Sequence, residues 1–176
     1  MEQDFIISPL IEHDATDLHR FVVDNNERLR YYFPKTIASN SSLEKSIEYI
    51  SIKEKEIQEK TNFTFAIREK ESLKIGGLII IKKIDWFKKQ GEFAYCIGSQ
   101  HEGKGLTSFA VKQLSTFAFE ELELKTLQII SHKANFGSVK VAENCGFVWK
   151  ATLLNEFTPT NEEPLDMELY ELSNEK

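Results

Sequence analysis

Residues 91–122 read GEFAYCIGSQHEGKGLTSFAVKQLSTFAFEEL and combine three predicted elements in succession. In the first part, aromatic and aliphatic residues occupy every second position, a period typical of a strand; they are Phe93, Tyr95 and Ile97. A glycine-rich loop, residues 98–105, then interrupts the pattern. After it, apolar residues recur every three or four positions, which predicts an amphipathic helix; they are Leu106, Phe109, Ala110, Leu114, Phe117 and Ala118.

The junction between this loop and the helix has the properties of an anion-binding site. The first turn of a helix carries main-chain N–H groups without intrahelical partners and a partial positive charge. Glycine lets the main chain approach a phosphate closely because it has no Cβ atom, and Lys104 adds a positive charge. The pattern therefore predicts a diphosphate as the ligand. The alternative is an ordinary strand-to-helix turn, because a glycine pattern alone is weak evidence of a nucleotide site.

Two nucleotide-binding motifs are approximated in this loop, and both fail. Residues 98–104 satisfy G-x-x-x-x-G-K, but Gly105 stands where a P-loop has the Ser or Thr hydroxyl that binds magnesium. The dinucleotide motif G-x-G-x-x-G fails because Ser108 occupies the third glycine position. The pattern that remains is Gln100-x-x-Gly103-x-Gly105.

This remaining pattern resembles the Q/R-x-x-G-x-G/A signature of the GNAT superfamily of acyl-CoA-dependent N-acyltransferases, whose corresponding loop holds the pyrophosphate of acetyl-CoA. A second segment, Asn135-x-x-Ser138 followed by Gly146-Phe147, is also similar to that superfamily. The resemblance extends over nearly the whole chain and is closest to the RimJ/RimL-like branch, the ribosomal-protein alanine N-acetyltransferase type. The other segments that contribute to it are residues 7–10, 26–34, 91–95 and 144–147.

Length and composition are those of one globular domain, residues 1–176. Hydrophobic residues make up 41% of the chain and charged residues 28%, as in a soluble protein. No apolar run approaches the ~20 residues that span a bilayer, and the acidic N-terminus is unlike a signal peptide. We therefore expect a cytoplasmic protein that does not bind membranes. The net charge of −6 argues against a nucleic-acid partner and favours a cationic or amine-bearing one.

Neither the cysteines nor the histidines form a pattern typical of disulfides or metal sites. Cys96 and Cys145 are the only cysteines and form no C-x-x-C pair, so we expect two buried thiols. The four histidines lack metal-ligand spacing, and no metal is expected. His101, in the glycine loop, is expected to face solvent, with contact to the phosphate as the alternative.

The rest of the sequence predicts a domain of the α/β or α+β class. Strands are predicted at residues 5–7, 63–67, 77–81, 92–97, 127–130, 147–157 and 165–169. Helices are predicted at residues 14–22, 26–32, 41–60, 106–118 and 135–146. The residues of the helix at 41–60 that are expected to face inward are Leu43, Ile47, Ile50 and Ile57. The resemblance implies the GNAT fold: a mixed, mostly antiparallel sheet of about seven strands flanked by helices, with central strands that splay apart to hold acyl-CoA.

The resemblance also implies acetyl-CoA as the co-substrate and assigns residues to its binding. The residues that would hold its diphosphate are Gln100, Glu102, Gly103, Lys104, Gly105, Leu106 and Thr107. The main-chain N–H of Ile97 would face the thioester carbonyl, and Asn135 would bind the pantetheine. Ser138 would lie near the sulfur and act as the acid, because Ala142 stands where many members of the superfamily have a tyrosine acid. The alternative for Ser138 is that it satisfies main-chain groups at the start of its helix.

Glu92 is the candidate general base. A carboxylate on the predicted strand, on the same side as Ala94 and Cys96, can take a proton from the amine directly or through one water. The alternative is a salt bridge with Lys82 or Lys83. No histidine or other base is visible beside Cys96, so a covalent intermediate is not expected, and the amine would attack the thioester directly.

The acceptor site is predicted in two loop segments. Tyr31, Tyr32 and Phe33, together with the hairpin residue Trp86, are candidate walls of an amine-binding pocket, with core packing as the alternative. The acceptor would be a primary amine, either a protein N-terminus or a small amine, and the sequence leaves open which of them it is.

Three other functions are left open. A non-catalytic acyl-CoA sensor would keep the loop but release no thiol. A P-loop-like nucleotide-binding protein would bind ATP with magnesium, and a plain interaction domain would bind neither ligand. Whether the chain forms a homodimer is also left open.

Overall fold

The computed structural model describes residues 4–174 and contains seven strands and six α-helices in that range. The strands are β1 Phe5–Pro9, β2 Phe63–Glu69, β3 Ile75–Asp85, β4 Gln90–Ile97, β5 Thr126–Ser131, β6 Val148–Phe157 and β7 Leu165–Ser173. The helices are α1 Ala15–Asp24, α2 Asn26–Leu29, α3 Pro34–Ala38, α4 Leu43–Gln58, α5 Leu106–Glu120 and α6 Phe136–Asn144. Short 3₁₀ turns cover Glu12–Asp14 and Ser99–His101.

Hydrogen bonds join the strands in the order β1-β2-β3-β4-β5-β7-β6, and the predicted fold class is confirmed. The pairs β1–β2, β5–β7 and β6–β7 are antiparallel, whereas β4 and β5 are parallel. The parallel register runs from Gln90↔Thr126 to Phe93↔Ile129, and β4 itself continues to Ile97. The helix α5 connects these two parallel strands, as expected of a β-α-β crossover.

The chain divides into two compact units, and the first comprises Met1–Ile80 and Tyr95–Glu102. Its hydrophobic core is drawn from α1, α2, α4 and strands β2, β3 and β4; the buried residues are Leu10, Ala15, Leu18, Phe21, Val22, Leu29, Tyr49, Ile50, Ala66, Ile75, Leu78 and Cys96. A buried ion pair belongs to the same unit. Arg68 donates from both terminal nitrogens to the carboxylate of Asp14, at 2.7 and 2.6 Å, and its Nε donates to the hydroxyl of Ser8 at 2.7 Å.

The second unit comprises Ile81–Ala94 and Gly103–Lys176. The predicted apolar stripe of α5 is largely confirmed, because the residues of that helix that are buried are Leu106, Ala110, Val111, Leu114, Ser115 and Ala118. Phe93 of β4 meets Phe147 edge to face, with ring centroids 6.3 Å apart. The predicted C-terminal glycine of α6 is also confirmed: Gly146 follows the helix with a φ of +81°, a conformation that favours glycine.

Two predictions about the helices of the first unit are wrong. The helix predicted over residues 26–32 ends at Leu29, and a separate helix, α3, begins at Pro34. Proline suits the first position of a helix because its missing N–H has no partner to bind there. In α4, Leu43 and Ile47 are 40% and 44% exposed, whereas Ser46, Tyr49 and Ile50 are buried.

A buried polar network explains the orientation of α4. The hydroxyl of Ser46 donates to the side-chain oxygen of Asn40 at 2.8 Å, and the amide of Asn40 donates to the carbonyl of Thr36 at 2.9 Å. These groups satisfy one another away from water, so Ser46 is stable on the inner side of the helix.

Among residues 4–174, none of the helices combines the length and the apolar character needed to cross a bilayer.

Candidate functional site

The second half of the glycine loop adopts a conformation that requires glycine. Gly103 and Gly105 have φ values of +72° and +75°, in the left-handed region that side chains disfavour. A Cβ atom built on either residue would meet no atom within 4 Å. The two glycines are therefore needed for the path of the main chain, and the space beside them is open.

The helix that follows this loop begins without a side-chain cap. Gly105 is the N-cap residue of α5 and provides no side-chain hydrogen bond, whereas the side chains of Ser42 and Asn135 cap α4 and α6. The positive end of α5, a helix of 15 residues, thus follows two glycines whose surroundings are open. This is the combination on which a main-chain anion site depends. Lys104, also predicted to contact the cofactor, is exposed in the same loop.

The first half of the loop is fixed to α1 through Asn25. The buried side chain of Asn25 accepts a hydrogen bond from the main-chain N–H of Ser99 at 3.0 Å and donates to the carbonyl of Phe21 at 2.8 Å. The N–H of Gly98 also donates to the carbonyl of Gly76 at 2.8 Å. The end of β4 and the start of the loop are therefore held in place by the side chain of Asn25 and by one main-chain hydrogen bond.

Arg28 makes two contacts with the same region. Its Nε donates to the carbonyl of Ile97 at 3.1 Å, and its Nη1 donates to the carboxylate of Glu102 at 2.6 Å. This hydrogen bond, and then the positive charge of the guanidinium, lower the pKa of Glu102 below its usual value. The side chain of Glu102, predicted to contact the cofactor, is thus engaged by Arg28, while Gln100 remains exposed. Sequence reasoning missed Arg28 and Asn25, because no local pattern signals contacts that span about 70 positions.

The expectation that His101 faces solvent is wrong. Its ring lies against Gly76, where a Cβ atom would be only 2.7 Å from the imidazole Cδ2. Phe5 meets the imidazole edge to face at 5.3 Å, and Nε2 lies 3.5 Å from a carboxylate oxygen of Glu69. Glycine at position 76 provides the space for this ring, so the side chain of His101 anchors the loop to the sheet strands of the first unit.

The predicted base, Glu92, is buried and ion-paired. Its side chain is 8% exposed, and its two oxygens lie 2.9 Å from the Nζ of Lys82 and 3.0 Å from the Nζ of Lys83. The salt-bridge alternative is therefore present in the structure. The role of Glu92 as a base stays a prediction, because the two ammonium groups stabilise the charged carboxylate and so oppose its uptake of a proton.

Polar side chains cross three strands of the second unit beside Glu92. Glu92 is directly opposite Gln128 in the parallel register, and Gln128 bridges two neighbours. It accepts from the amide of Gln90 at 3.0 Å and donates to the carboxylate of Glu171 at 2.7 Å. This part of the sheet thus carries hydrogen-bonding groups rather than an apolar surface.

At the start of α6, the side chain of Asn135 accepts a hydrogen bond from the main-chain N–H of Ser138 at 3.3 Å. This contact makes Asn135 the N-cap residue, and Ser138 is half-buried. Ala142 is completely buried, so the position at which many members of the superfamily would have a tyrosine acid faces the core in this chain. The roles of Asn135 and Ser138 toward a ligand stay predictions.

The residues predicted to contact the acceptor differ in their surroundings. In the first unit, the rings of Tyr31 and Tyr32 are half-buried and meet edge to face at 4.7 Å, while Phe33 packs against the hydrophobic core. In the second unit, Trp86 is partly exposed at the tip of the β3–β4 hairpin, beside Phe87, which is almost fully exposed. Core packing thus accounts for Phe33, whereas contact of Trp86 with a substrate stays a prediction.

The cysteines are buried, and their thiols are neutral at ordinary pH. Burial raises the pKa of the Cys96 thiol to about 12, which removes the thiolate that a covalent mechanism needs. Burial also raises the pKa of Cys145, whose Sγ donates to the carbonyl of Ser108 at 3.4 Å. Within residues 4–174, no three side chains of His, Cys, Asp or Glu are grouped closely enough to hold a metal ion, and the expected lack of a metal stays a prediction.

Comparisons with known proteins point in one direction. A family model described as "Acetyltransferase (GNAT) domain" matches residues 4–148. The chain is 38% identical over 72 residues, 41% of this chain and 39% of the relative, to the "Putative ribosomal N-acetyltransferase YdaF" of Bacillus subtilis. It is 27% identical over 152 residues, 86% of this chain and 76% of the relative, to the spermidine N(1)-acetyltransferase of Escherichia coli K12.

The fold is also shared with solved structures. The ribosomal alpha-N-protein acetyltransferase RimL in complex with coenzyme A aligns over 97% of this chain and 94% of its own, with a TM-score of 0.87. The two sequences are 17% identical, so this likeness concerns the fold.

Proposed function

Because the chain belongs to the GNAT family of acetyltransferases, we propose that it transfers the acetyl group of acetyl-CoA to a primary amine. The observation that carries the proposal is the pair Gly103 and Gly105, both in left-handed conformations, followed by the uncapped N-terminus of α5. Main-chain N–H groups from the loop and the first turn of α5 would bind the diphosphate of the cofactor.

The strand β4 would receive the pantetheine. Its parallel register with β5 ends at Phe93↔Ile129, although β4 runs on to Ile97. Main-chain groups beyond that register can bind an extended ligand as an additional strand would be bound. The side-chain amide of Asn135 would assist at the start of α6.

The reaction would proceed by direct attack in a ternary complex. The amine nitrogen forms a bond to the thioester carbon, the C–S bond breaks, and coenzyme A leaves as a thiolate. The proton lost by the amine passes to a base, for which Glu92 is the candidate, and the thiolate takes a proton from Ser138 or from water. A main-chain N–H near Ile97 would stabilise the negative charge on the carbonyl oxygen. The side chains of Cys96 and Cys145 take no part.

We further propose that the acceptor is a protein N-terminus or a small amine and that residues 1–176 act as one cytoplasmic domain. The named relatives include a ribosomal N-acetyltransferase and a spermidine acetyltransferase, which represent these two acceptor classes. The negative net charge of the chain favours an amine substrate of either class. The residues proposed to contact it are Tyr31, Tyr32, Phe33 and Trp86.

A second candidate is an acyl-CoA-binding domain without catalytic activity. The observation that favours it is the double ion pair of Glu92 with Lys82 and Lys83, which occupies both oxygens of the proposed base. Such a protein would bind acetyl-CoA but would release no thiol with any amine.

One experiment separates these functions. Purified protein is incubated with acetyl-CoA and, in turn, with peptides that have free N-termini, polyamines and aminoglycosides, and thiol release is measured. Release that requires an amine supports the transferase. Binding of acetyl-CoA by calorimetry without release would favour the sensor, and heat from Mg-ATP but not from acetyl-CoA would contradict both.

A further inference from the structure

Arg28 is a residue of the first unit that the proposed reaction does not use. It lies in α2, a helix of four residues whose inner side is anchored by the buried Leu29. The main-chain N–H groups of Arg28 and Leu29 both donate to the carbonyl of Asn25, at 3.1 and 3.0 Å. The arginine is therefore carried by a short helix that is tied to Asn25, the residue whose side chain also binds Ser99.

The guanidinium contacts both ends of the first half of the glycine loop. Nε binds the carbonyl of Ile97, the last residue of β4, and Nη1 binds the carboxylate of Glu102, the residue immediately before Gly103. One planar group thus joins two points separated by four intervening residues, 98–101. A guanidinium can donate in two directions at a fixed angle, whereas the ammonium of lysine is a point charge on a flexible stem.

The other side chains of this segment show why such a connection matters. His101 packs on Gly76 and Ser99 is bound through its main chain to Asn25, so the segment is pinned at two internal points. The contact between Arg28 and Glu102 lies at the residue immediately before Gly103, the first of the two left-handed glycines.

We propose that Arg28 is a positioning residue for the acyl-CoA loop. By holding Ile97 and Glu102 at a fixed separation, it keeps the main chain of Gly103–Gly105 in the conformation that binds the diphosphate. This inference rests on the proposed function, since it assigns Arg28 to the same cofactor site. Without the arginine, the residues of the site are still present, but the loop adopts several conformations of which only one binds the cofactor. The affinity for the cofactor therefore falls.

The test measures the dissociation constant of coenzyme A by calorimetry for Arg28→Gln, Arg28→Lys and the matched control Arg30→Gln. Arg30 is two positions away, its side chain is 68% exposed, and it pairs with Glu27 at 3.1 Å on the surface. We expect Arg28→Gln to weaken binding about two- to fivefold, the size associated with an exposed ion pair. Arg28→Lys should restore part of the affinity, and Arg30→Gln should bind as the wild type does.

A double-mutant cycle with Glu102→Gln identifies the partner. If the two side chains act as one unit, the double variant should bind coenzyme A no more weakly than Arg28→Gln alone. Thermal melting of each variant supplies a second readout, because a merely structural arginine would lower the melting temperature and leave the dissociation constant unchanged.

The outcomes distinguish this inference from the proposed function. Wild-type protein that binds no coenzyme A overturns both. Wild-type protein that binds it, with an unchanged dissociation constant in Arg28→Gln or an equal loss in Arg30→Gln, overturns the role of Arg28 and leaves the transferase intact.

Discussion

The carboxylate of Glu92 is subject to two opposing demands. A general base needs access to the amine proton, whereas the structure gives both oxygens of Glu92 to Lys82 and Lys83. Both ammonium groups favour the charged form of the carboxylate, whereas a base must become neutral when it takes the proton. The distinction between a base and a structural ion pair is therefore an experimental one.

The substitution Glu92→Gln separates the two roles. If Glu92 is the base, kcat/KM should fall on the order of 100-fold or more, and its rise with pH should flatten, because the group that accepts the proton has been removed. The measurement is a pH–rate profile with the acceptor found by thiol release. An unchanged profile with a lowered melting temperature would assign Glu92 to the ion pair alone.

The thiol of Cys96 provides a prediction that does not depend on the acceptor. Because burial raises its pKa to about 12, the thiol stays protonated below that pH in the folded protein, and it is closed to reagents. We expect little reaction of the native protein with a thiol reagent at pH 8 and full reaction of two cysteines after unfolding in urea. Fast labelling of Cys96 in the native state would contradict the buried position.

At the scale of elements, the loop and helix of residues 98–120 were predictable because their signals are local. The glycines, the apolar stripe of α5 and the glycine after α6 each occur within a few residues of the feature they determine. The position of Arg28 was not predictable, because its partners lie 69 and 74 positions away. The inward position of Ser46 was missed for a similar reason: its burial depends on Asn40, whose side chain completes a network rather than a periodic pattern.

Substitution of a left-handed glycine can separate the backbone strain of the loop from its role in binding coenzyme A. Alanine at position 105 should lower the free energy of unfolding by about 1 kcal/mol, because a Cβ atom disfavours a φ of +75°. It should also weaken coenzyme A binding more than tenfold, since the Cβ enters the space proposed for the diphosphate. Chemical denaturation and calorimetry provide the two measurements.

Gly146→Ala is the matched control for this change. Gly146 has a similar φ of +81°, and a Cβ atom there would meet Leu172 only at an ordinary contact distance of 3.8 Å. Gly146→Ala should lower the free energy of unfolding by a similar amount and leave the affinity for coenzyme A unchanged. Equal effects of the two substitutions on affinity would show that weaker binding follows from the general loss of stability, rather than from close approach of the cofactor to residue 105.

At the scale of the whole molecule, stability depends on a polar group that the hydrophobic pattern does not reveal. Arg68 and Asp14 are 54 positions apart, and their side chains are only 6% and 12% exposed. Removing one partner leaves the other charge buried without compensation, which is more costly than the loss of an exposed pair.

We expect Arg68→Met to lower the free energy of unfolding by about 3–5 kcal/mol, measured by urea denaturation. The control is Lys55→Met, which removes an exposed pair with Glu59 at 3.7 Å and should change stability by less than about 0.5 kcal/mol. Similar midpoints for Arg68→Met and the wild type would mean that the buried pair contributes little net stability.

The inward orientation of His101 and the engagement of Glu102 by Arg28 have a consequence for evolution of the chain. If coenzyme A is bound by main-chain groups rather than by side chains, substitutions that change the preferred acceptor amine need not weaken its binding. Randomising the hairpin tip, residues 86–89, should then yield descendants that prefer other amines and still require the same acyl donor. In such a fold, the residues that select the acceptor amine can change while the main-chain site for the acyl donor stays the same.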